Sequence, residues 1–268
     1  MRLTAWETVL VARHPDRPLL PDYIQHIVSD FCELHGDRNF GDDPAIITGF
    51  GRIDGHKVML VGQNKGRNTK ERIVNNFGCA HPEGYRKALH KMKLAEKFGL
   101  PIVSLIDTQG AYPGVASEER GISQAIATNL LEMSRLRTPI ICIVIGEGGS
   151  GGALGIGVGD RLAMLKHSFL SVISPEGCAA ILFKTRDKKE QAAEALKITA
   201  AELKELNIID DIINEPTEGA HKNPKETMKN VEQYIVHTLS ELKRIDLGTL
   251  VANRYKKMRN IEFHESQA

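Results

Sequence analysis

Six consecutive apolar residues, Ile140 to Ile145, run straight into Gly146-Glu-Gly-Gly-Ser-Gly-Gly152, where five of seven residues are glycine. A strand with no polar position has no face to give to water. It must be covered on both sides, as in a parallel sheet flanked by helices. The glycines permit positive φ and let a ligand approach the main chain closely. Leaving a doubly buried strand through such a turn puts the turn at the carboxyl end of the sheet, where α/β proteins bind ligands.

The flanking segments fit this arrangement. Pro82 to Phe98 has helical spacing at Tyr85, Ala88, Leu89, Met92 and Ala95, with Gly99 and Pro101 to stop it. Ile102 to Ile106 predicts a strand ending at Asp107, and Glu118 to Leu136 a second helix. After the glycines come a short helix over Gly152 to Val158, strands at Leu162–Leu165 and Leu170–Ile173, and a helix opening at Pro175. A late strand is expected over Ile208–Ile213, then charged helices over Lys225–Leu242 and Leu250–Met258. Upstream, Asp22 to Leu34 carries helical spacing (Tyr23, Ile24, Ile27, Val28, Phe31, Leu34). Ala45–Ile53 and Lys57–Gly62 flank Asp54-Gly55, a strong hairpin signal. Strand–helix alternation around buried strands specifies an α/β fold, and the hairpin makes the sheet mixed.

Composition narrows the function classes. Lys+Arg at 35 against Asp+Glu at 34 is no strongly basic balance, so the chain is not read as a nucleic-acid binder. Cys32, Cys79, Cys142 and Cys178 form no CxxC pair, so no zinc ribbon or redox dithiol is indicated, and Cys142 reads as a small buried hydrophobe. The opening Met-Arg-Leu-Thr-Ala-Trp-Glu has no apolar stretch of the signal-peptide kind, and Ile140–Ile145 falls far short of the roughly 18 residues of a membrane helix. A reducing cytoplasmic location is the expectation.

Two strand ends run into unusual loops, Asp107-Thr-Gln-Gly-Ala-Tyr-Pro-Gly114 and Gly146 to Ala153. Gly146-x-Gly148-x-x-Gly151 matches a dinucleotide fingerprint. However, the next strand ends in Lys166-His167, without the acid that would hold a ribose. A phosphate loop needs Gly-Lys-Ser/Thr, and Gly152-Ala153-Leu154 has no lysine. Gly148-Gly-Ser150-Gly-Gly152 also fits the GxSxG nucleophile elbow, which keeps a serine hydrolase open. Its acid and histidine would come from Asp160 with His167, or Asp210 or Asp211 with His221 or His237. The remaining reading is an oxyanion hole of consecutive peptide N–H groups, which needs no side-chain nucleophile. Lys65-Gly-Arg67 and Lys70–Arg72 form a basic cluster read mainly as a solvated helix start. Asp107 is expected to satisfy loop amides, and Glu147 to cap its turn.

Several stretches together resemble the family of bacterial-type acetyl-coenzyme A carboxylase carboxyltransferase α subunits. They are Ala12-Arg-His-Pro15, Gly62-Gln-Asn-Lys-Gly-Arg67, Pro82-Glu-Gly-Tyr-Arg-Lys87, Asp107–Gly114, Glu118-Glu-Arg-Gly121, Val144–Ala153 and Ser174-Pro-Glu-Gly-Cys178. The likeness runs from residue 5 to about residue 245. Two departures stand out: the family usually carries a longer N-terminal helical extension, and Gln109 replaces its usual proline, which loosens a preset φ.

The resemblance implies a crotonase-like α/β spiral of ββα units with flanking N- and C-terminal helices. Residues 1–245 would form the carboxyltransferase domain, with 1–44 a helical lead-in and 246–268 a C-terminal helical tail. It implies an α2β2 assembly that transfers carboxyl from carboxybiotin, on a biotin carboxyl carrier protein charged by biotin carboxylase, to acetyl-CoA. The product is malonyl-CoA for fatty-acid synthesis. No cofactor is expected to bind directly, and zinc is expected only on the β subunit. The amides of Gly151 and Gly152 are implied to hold the biotin ureido oxygen, with Gly148 and Gly149 beside them. Gly110, Ala111, Tyr112 and Pro113 would line the same pocket. No general base from this chain is required.

Overall fold

The protein is described here by a computed structural model covering residues 3–261. Helices α1 (Ala5–Ala12) and α2 (Leu20–Ile27) lead into strand β1 (Ser29–Glu33). The helix expected over 22–34 therefore ends at Ile27, and the 1–44 lead-in is not wholly helical. Val28 is already extended (φ −115°, ψ 122°), and β1 pairs antiparallel with β2 (Ile46–Ile53). The open edge of β2 presents Gly49 and Gly51, and the Phe31 ring occupies the space a side chain at Gly49 would need. A long-range strand partner thus outweighs a helical apolar period.

The hairpin of β2 and β3 (His56–Gln63) turns at Asp54 and Gly55, whose φ values of 45° and 77° match the two left-handed positions of a type I′ turn. Next come α3 (Thr69–Val74), α4 (Pro82–Lys97), β4 (Ile102–Thr108), α5 (Val115–Glu119) and α6 (Ile122–Met133). The helix expected over 118–136 is split because Gly121 adopts φ 80°. Strand β5 (Ile140–Gly149) and α7 (Ser150–Leu154) are followed by β6 (Arg161–Leu165), β7 (Phe169–Ser171), α8 (Pro175–Leu182), α9 (Lys189–Leu196) and α10 (Ala200–Glu205). The chain closes with β8 (Asp211–Ile213), α11 (Pro224–Leu242) and α12 (Leu247–Arg259).

Among the described residues the strands make one eight-stranded mixed sheet in the order β1-β2-β3-β4-β5-β6-β8, with β7 alongside β5. From β3 onward all pairings are parallel. Strand β5 shows why its apolar run is unbroken. Ile140, Cys142 and Val144 face a core with Tyr85 and Met92 of α4 and Ile122 of α6; Ile141, Ile143 and Ile145 face another with Leu20 of α2 and Val231 and Ile235 of α11. Burial pushes the Cys142 thiol up to about 12, as befits an inert hydrophobe.

Residues 246–261 are fastened to the domain. Arg254 of α12 is buried, donates to both carboxylate oxygens of Asp160 at 2.8 Å, and donates to the carbonyls of Met133, Leu136 and Thr138. Of the tail expected over 246–268, residues 262–268 lie outside the described residues.

Candidate active site

The site is built where β4 and β5 part. Ile106 pairs with Val144, but the next pair is Thr108 with Gly148, so β5 carries extra residues at this point. This bulge frees the Glu147 N–H from the ladder, and Asp107 Oδ1 accepts it at 2.8 Å. Strand β5 then continues to Gly149 with β7 as its new partner, Glu147 opposite Phe169 and Gly149 opposite Ser171. Residues 146–149, expected as turn, are therefore strand. The helix begins two residues early, at Ser150 rather than Gly152.

The turn falls on Ser150, whose φ of 46° is a left-handed conformation unusual for serine. Ser150, Gly151 and Gly152 open α7, and N-terminal amides of a helix have no carbonyl within the helix to meet. No side chain caps them, since the N-cap is Gly149. The two loops meet through bare backbone. A Cβ at Gly149 would overlap the Gln109 carbonyl, and one at Gly152 would overlap Gly110 and the Ala111 nitrogen. Gly151 differs, because a Cβ there would meet only Ile126 Cδ1, at 3.5 Å.

Gln63, fully buried at the end of β3, ties these pieces together. Its Nε2 donates to the Gly152 carbonyl at 2.8 Å, and its Oε1 accepts the Asp107 N–H at 3.0 Å. Thr108 Oγ1 donates to the Gly78 carbonyl and accepts the Gly110 N–H at 3.1 Å. Tyr112 donates its N–H to the Ala80 carbonyl and lays its ring against His81, 4.2 Å between centroids.

A cavity of about 700 Å³ opens between the end of β5 and the start of α8. Its wall includes Arg13, Gln109, Gly149, Ser150, Ser174 and Arg186. Of the residues expected to line one pocket, Gly149 is in this wall. Gly148 is buried behind it against Leu170, and Gly151 and Gly152 follow on α7. Gly110 and Ala111 touch α7 through backbone, while Tyr112 and Pro113 sit further out on the rim of their loop, with Pro113 exposed.

Among the described residues no acid–histidine pair is brought to Ser150. His167 lines a different cavity with Thr8 and Thr199, His221 stacks on His14 at 3.7 Å, and His237 pairs with Glu241 on the surface of α11. The acids are also engaged elsewhere: Asp160 with Arg254, Asp210 with Lys257, and Asp211 with Tyr234. Nothing supports a serine hydrolase.

Charge is what sequence reasoning missed here. Glu147 does not cap its turn. Its 2%-exposed side chain accepts from Arg13 Nε at 2.7 Å and from Lys65 Nζ at 2.5 Å. Lys65 also pairs with Asp107 at 2.7 Å, and Arg13 reaches Glu176 of α8 at 2.6 Å. Burial works against ionising Glu147, but Lys65 and Arg13 outweigh it and hold the carboxyl below its usual range. Burial likewise opposes the charge on Lys65, and Asp107 and Glu147 more than restore it. Lys65 is therefore not part of a solvated helix start, whereas half-exposed Arg67, paired with Asp22, and exposed Lys70 do fit that reading. Lys65 and Arg13 both lie in stretches that carried the family resemblance. Their ion-pair partners, however, lie 82 and 134 residues away in sequence.

With this geometry in hand, likeness to known proteins is informative. A family model described as acetyl co-enzyme A carboxylase carboxyltransferase-like matches residues 1–262. The chain is similar to the acetyl-coenzyme A carboxylase carboxyl transferase subunit alpha of Methylococcus capsulatus, 56% identical over 266 residues, covering 99% of this chain and 83% of the relative. Among solved structures, the fold resembles the β subunit of P. aeruginosa geranyl-CoA carboxylase, with TM-score 0.65 and 18% identity over 94% of this chain and 45% of that one. It also resembles transcarboxylase 12S, with TM-score 0.64 and 22% identity over 81% of this chain and 43% of that one. The crotonase-like fold expected from the sequence is borne out. The chain belongs to the family of acetyl-CoA carboxylase carboxyltransferase alpha subunits.

Proposed function

We propose that this chain is the biotin-side half of an acetyl-CoA carboxyltransferase, completed by a zinc-bearing β subunit in an α2β2 assembly. The carrying observation is the amino end of α7, where the Ser150, Gly151 and Gly152 amides have no helical acceptor and no side-chain cap. Carboxybiotin, delivered by a carrier protein that biotin carboxylase charges, supplies the activated carboxyl group and then the base for the acetyl methyl proton. The residues present fit such a group. Gly149 and Gly152 are held so close to the 109–111 backbone that side chains there would push the two loops apart and shift the α7 amides that such a group would meet. The Gly151 and Gly152 amides would hold the ureido oxygen and stabilise negative charge on it, a contribution of about 3–4 kcal/mol per donor. Gly148 and Gly149 deliver the segment, and the loop Gly110-Ala111-Tyr112-Pro113 packs against it to keep the amides oriented and water out.

The chain acts in the cytoplasm, supplying malonyl-CoA for fatty-acid synthesis. Among the described residues no helix is long and apolar enough to cross a membrane. The test is to mix the chain with its β partner and follow biotin-dependent conversion of malonyl-CoA to acetyl-CoA. Turnover is expected only with both chains, and turnover that survives omission of β refutes the half-site reading.

A further inference from the structure

Glu147 and Asp107 are carboxylates with 2% and 4% of their side chains exposed, and both lie within 2.7 Å of one ammonium, Lys65 Nζ. Asp107 accepts the Glu147 N–H, Gln63 bridges Asp107 and Gly152, and Glu147 is followed directly by the glycines of the candidate site. Two buried carboxylates this close repel and are poorly solvated unless a cation lies between them. The bulge interrupts the β4–β5 ladder between the Ile106–Val144 and Thr108–Gly148 pairs, so on the β4 side Glu147 is held by Asp107 and the ion pairs, while β7 pairs with the other side of the exit.

We infer that Lys65 is a positioning residue: by clamping Asp107 to Glu147 it sets the course of the 147–152 backbone and so the aim of its amides. This rests on the amide-hole reading of α7. Lys65 lies across the Glu147 carboxylate from Arg13, and the Arg13–Glu147 pair forms part of the walls of both the 700 Å³ cavity and a smaller one of about 240 Å³. Lys65 lines only the smaller cavity, so it acts through Glu147 rather than by touching a molecule bound at α7.

The charged groups facing the clamp come from every neighbouring element. Arg13 follows α1 and holds Glu176 of α8; Arg17 and His14 share the Arg13 loop. Tyr23 of α2, Arg72 of α3 and Cys79 before α4 complete the surroundings. The Cys79 thiol and the Tyr23 hydroxyl are both pushed up by burial, so neither ionises near neutrality.

Replacing Lys65 by Met leaves Glu147 with Arg13 as its cation and Asp107 with no ion-pair partner among the described residues. One then takes up a proton readily, and the pair is neutralised at acid pH but repels as pH rises. The K65M chain mixed with wild-type β is therefore expected to lose turnover up to about 100-fold, the loss a misplacement of about 1 Å brings. That loss is expected to grow from pH 6 to pH 8.5, with KM for malonyl-CoA unchanged. The double variant K65M/E147Q, with one carboxylate made neutral, is expected to recover most of the loss and to abolish the added pH dependence.

A pH-independent loss that E147Q does not relieve, or wild-type turnover in K65M, overturns the positioning role. Those results are distinct from a wild-type pair with no biotin-dependent turnover, which would overturn the amide-hole reading and this inference with it.

Discussion

Gly151 and Gly152 are neighbours, yet alanine at the two positions should have opposite consequences. At Gly152 the new methyl would overlap the Gly110 carbonyl carbon and the Ala111 nitrogen, both backbone atoms that no rotamer change can move. Overpacking of this kind costs about 1–3 kcal/mol. In a chain this long each kcal/mol lowers Tm by roughly 2–4 °C, so Gly152→Ala should melt about 2–12 °C early. Its relief requires the 109–111 loop to back away, which tilts the α7 amides and should cut turnover on the order of 100-fold. At Gly151 the methyl meets Ile126 Cδ1 at 3.5 Å, an ordinary contact, and φ is not positive. Replacing glycine by alanine in a helix stabilises by roughly 0.5–1 kcal/mol, so Gly151→Ala should keep or slightly raise Tm and retain most turnover, its N–H being intact. The measurements are thermal melts of each chain and biotin-dependent turnover with the β partner. A Gly152→Ala chain with wild-type Tm and wild-type turnover would refute the argument that bare backbone contact aims these amides.

Three further outcomes follow from the same geometry. Ser150→Ala should keep most turnover, and Ser150→Gly should raise Tm because glycine relieves a left-handed conformation costing about 1–2 kcal/mol; covalent labelling of Ser150 by a fluorophosphonate would contradict both the role and the reading. Arg254→Ala should destabilise by about 3–5 kcal/mol in urea melts, since it strands Asp160 in the core, and a loss under 1 kcal/mol would show that α12 is not fastened by this pair. Glu147 is held below its usual pKa, so its contribution to stability is complete above the unfolded value of about 4.3 and is lost as pH falls through the lower folded one. Unfolding free energy should therefore drop in that acid window, and less steeply in Glu147→Gln; equal slopes would refute it.

Much of the architecture was legible from local pattern. The Asp54-Gly55 hairpin, the 82–97 helix and the doubly buried β5 lie close to where periodicity puts them. Each depends on neighbours a few residues apart: two left-handed turn positions, an apolar stripe, a run with no polar side. The same logic fails at β1, whose spacing suits a helix until the glycine-lined edge of β2 offers it ladder bonds and a seat for Phe31. The glycine-rich segment reads from the sequence as a turn starting at Gly146, but the strand runs on to Gly149. Residues 147–149 are strand because β7, some 20 residues later, returns to pair with them and Thr108 of β4 pairs with Gly148.

The unbroken burial of β5, the Asp54-Gly55 turn and the apolar stripe of α4 were thus set by side-chain period and backbone sterics, quantities each short stretch carries in itself. The bulge between β4 and β5, the hold of Gln63 on Gly152 and the clamp of Lys65 on Asp107 and Glu147 exist only in the folded chain, joining residues 40 to 89 positions apart. Polar side chains look solvated in a linear reading because their cost of burial, and the opposite charge that offsets it, are defined only once distant strands stand side by side.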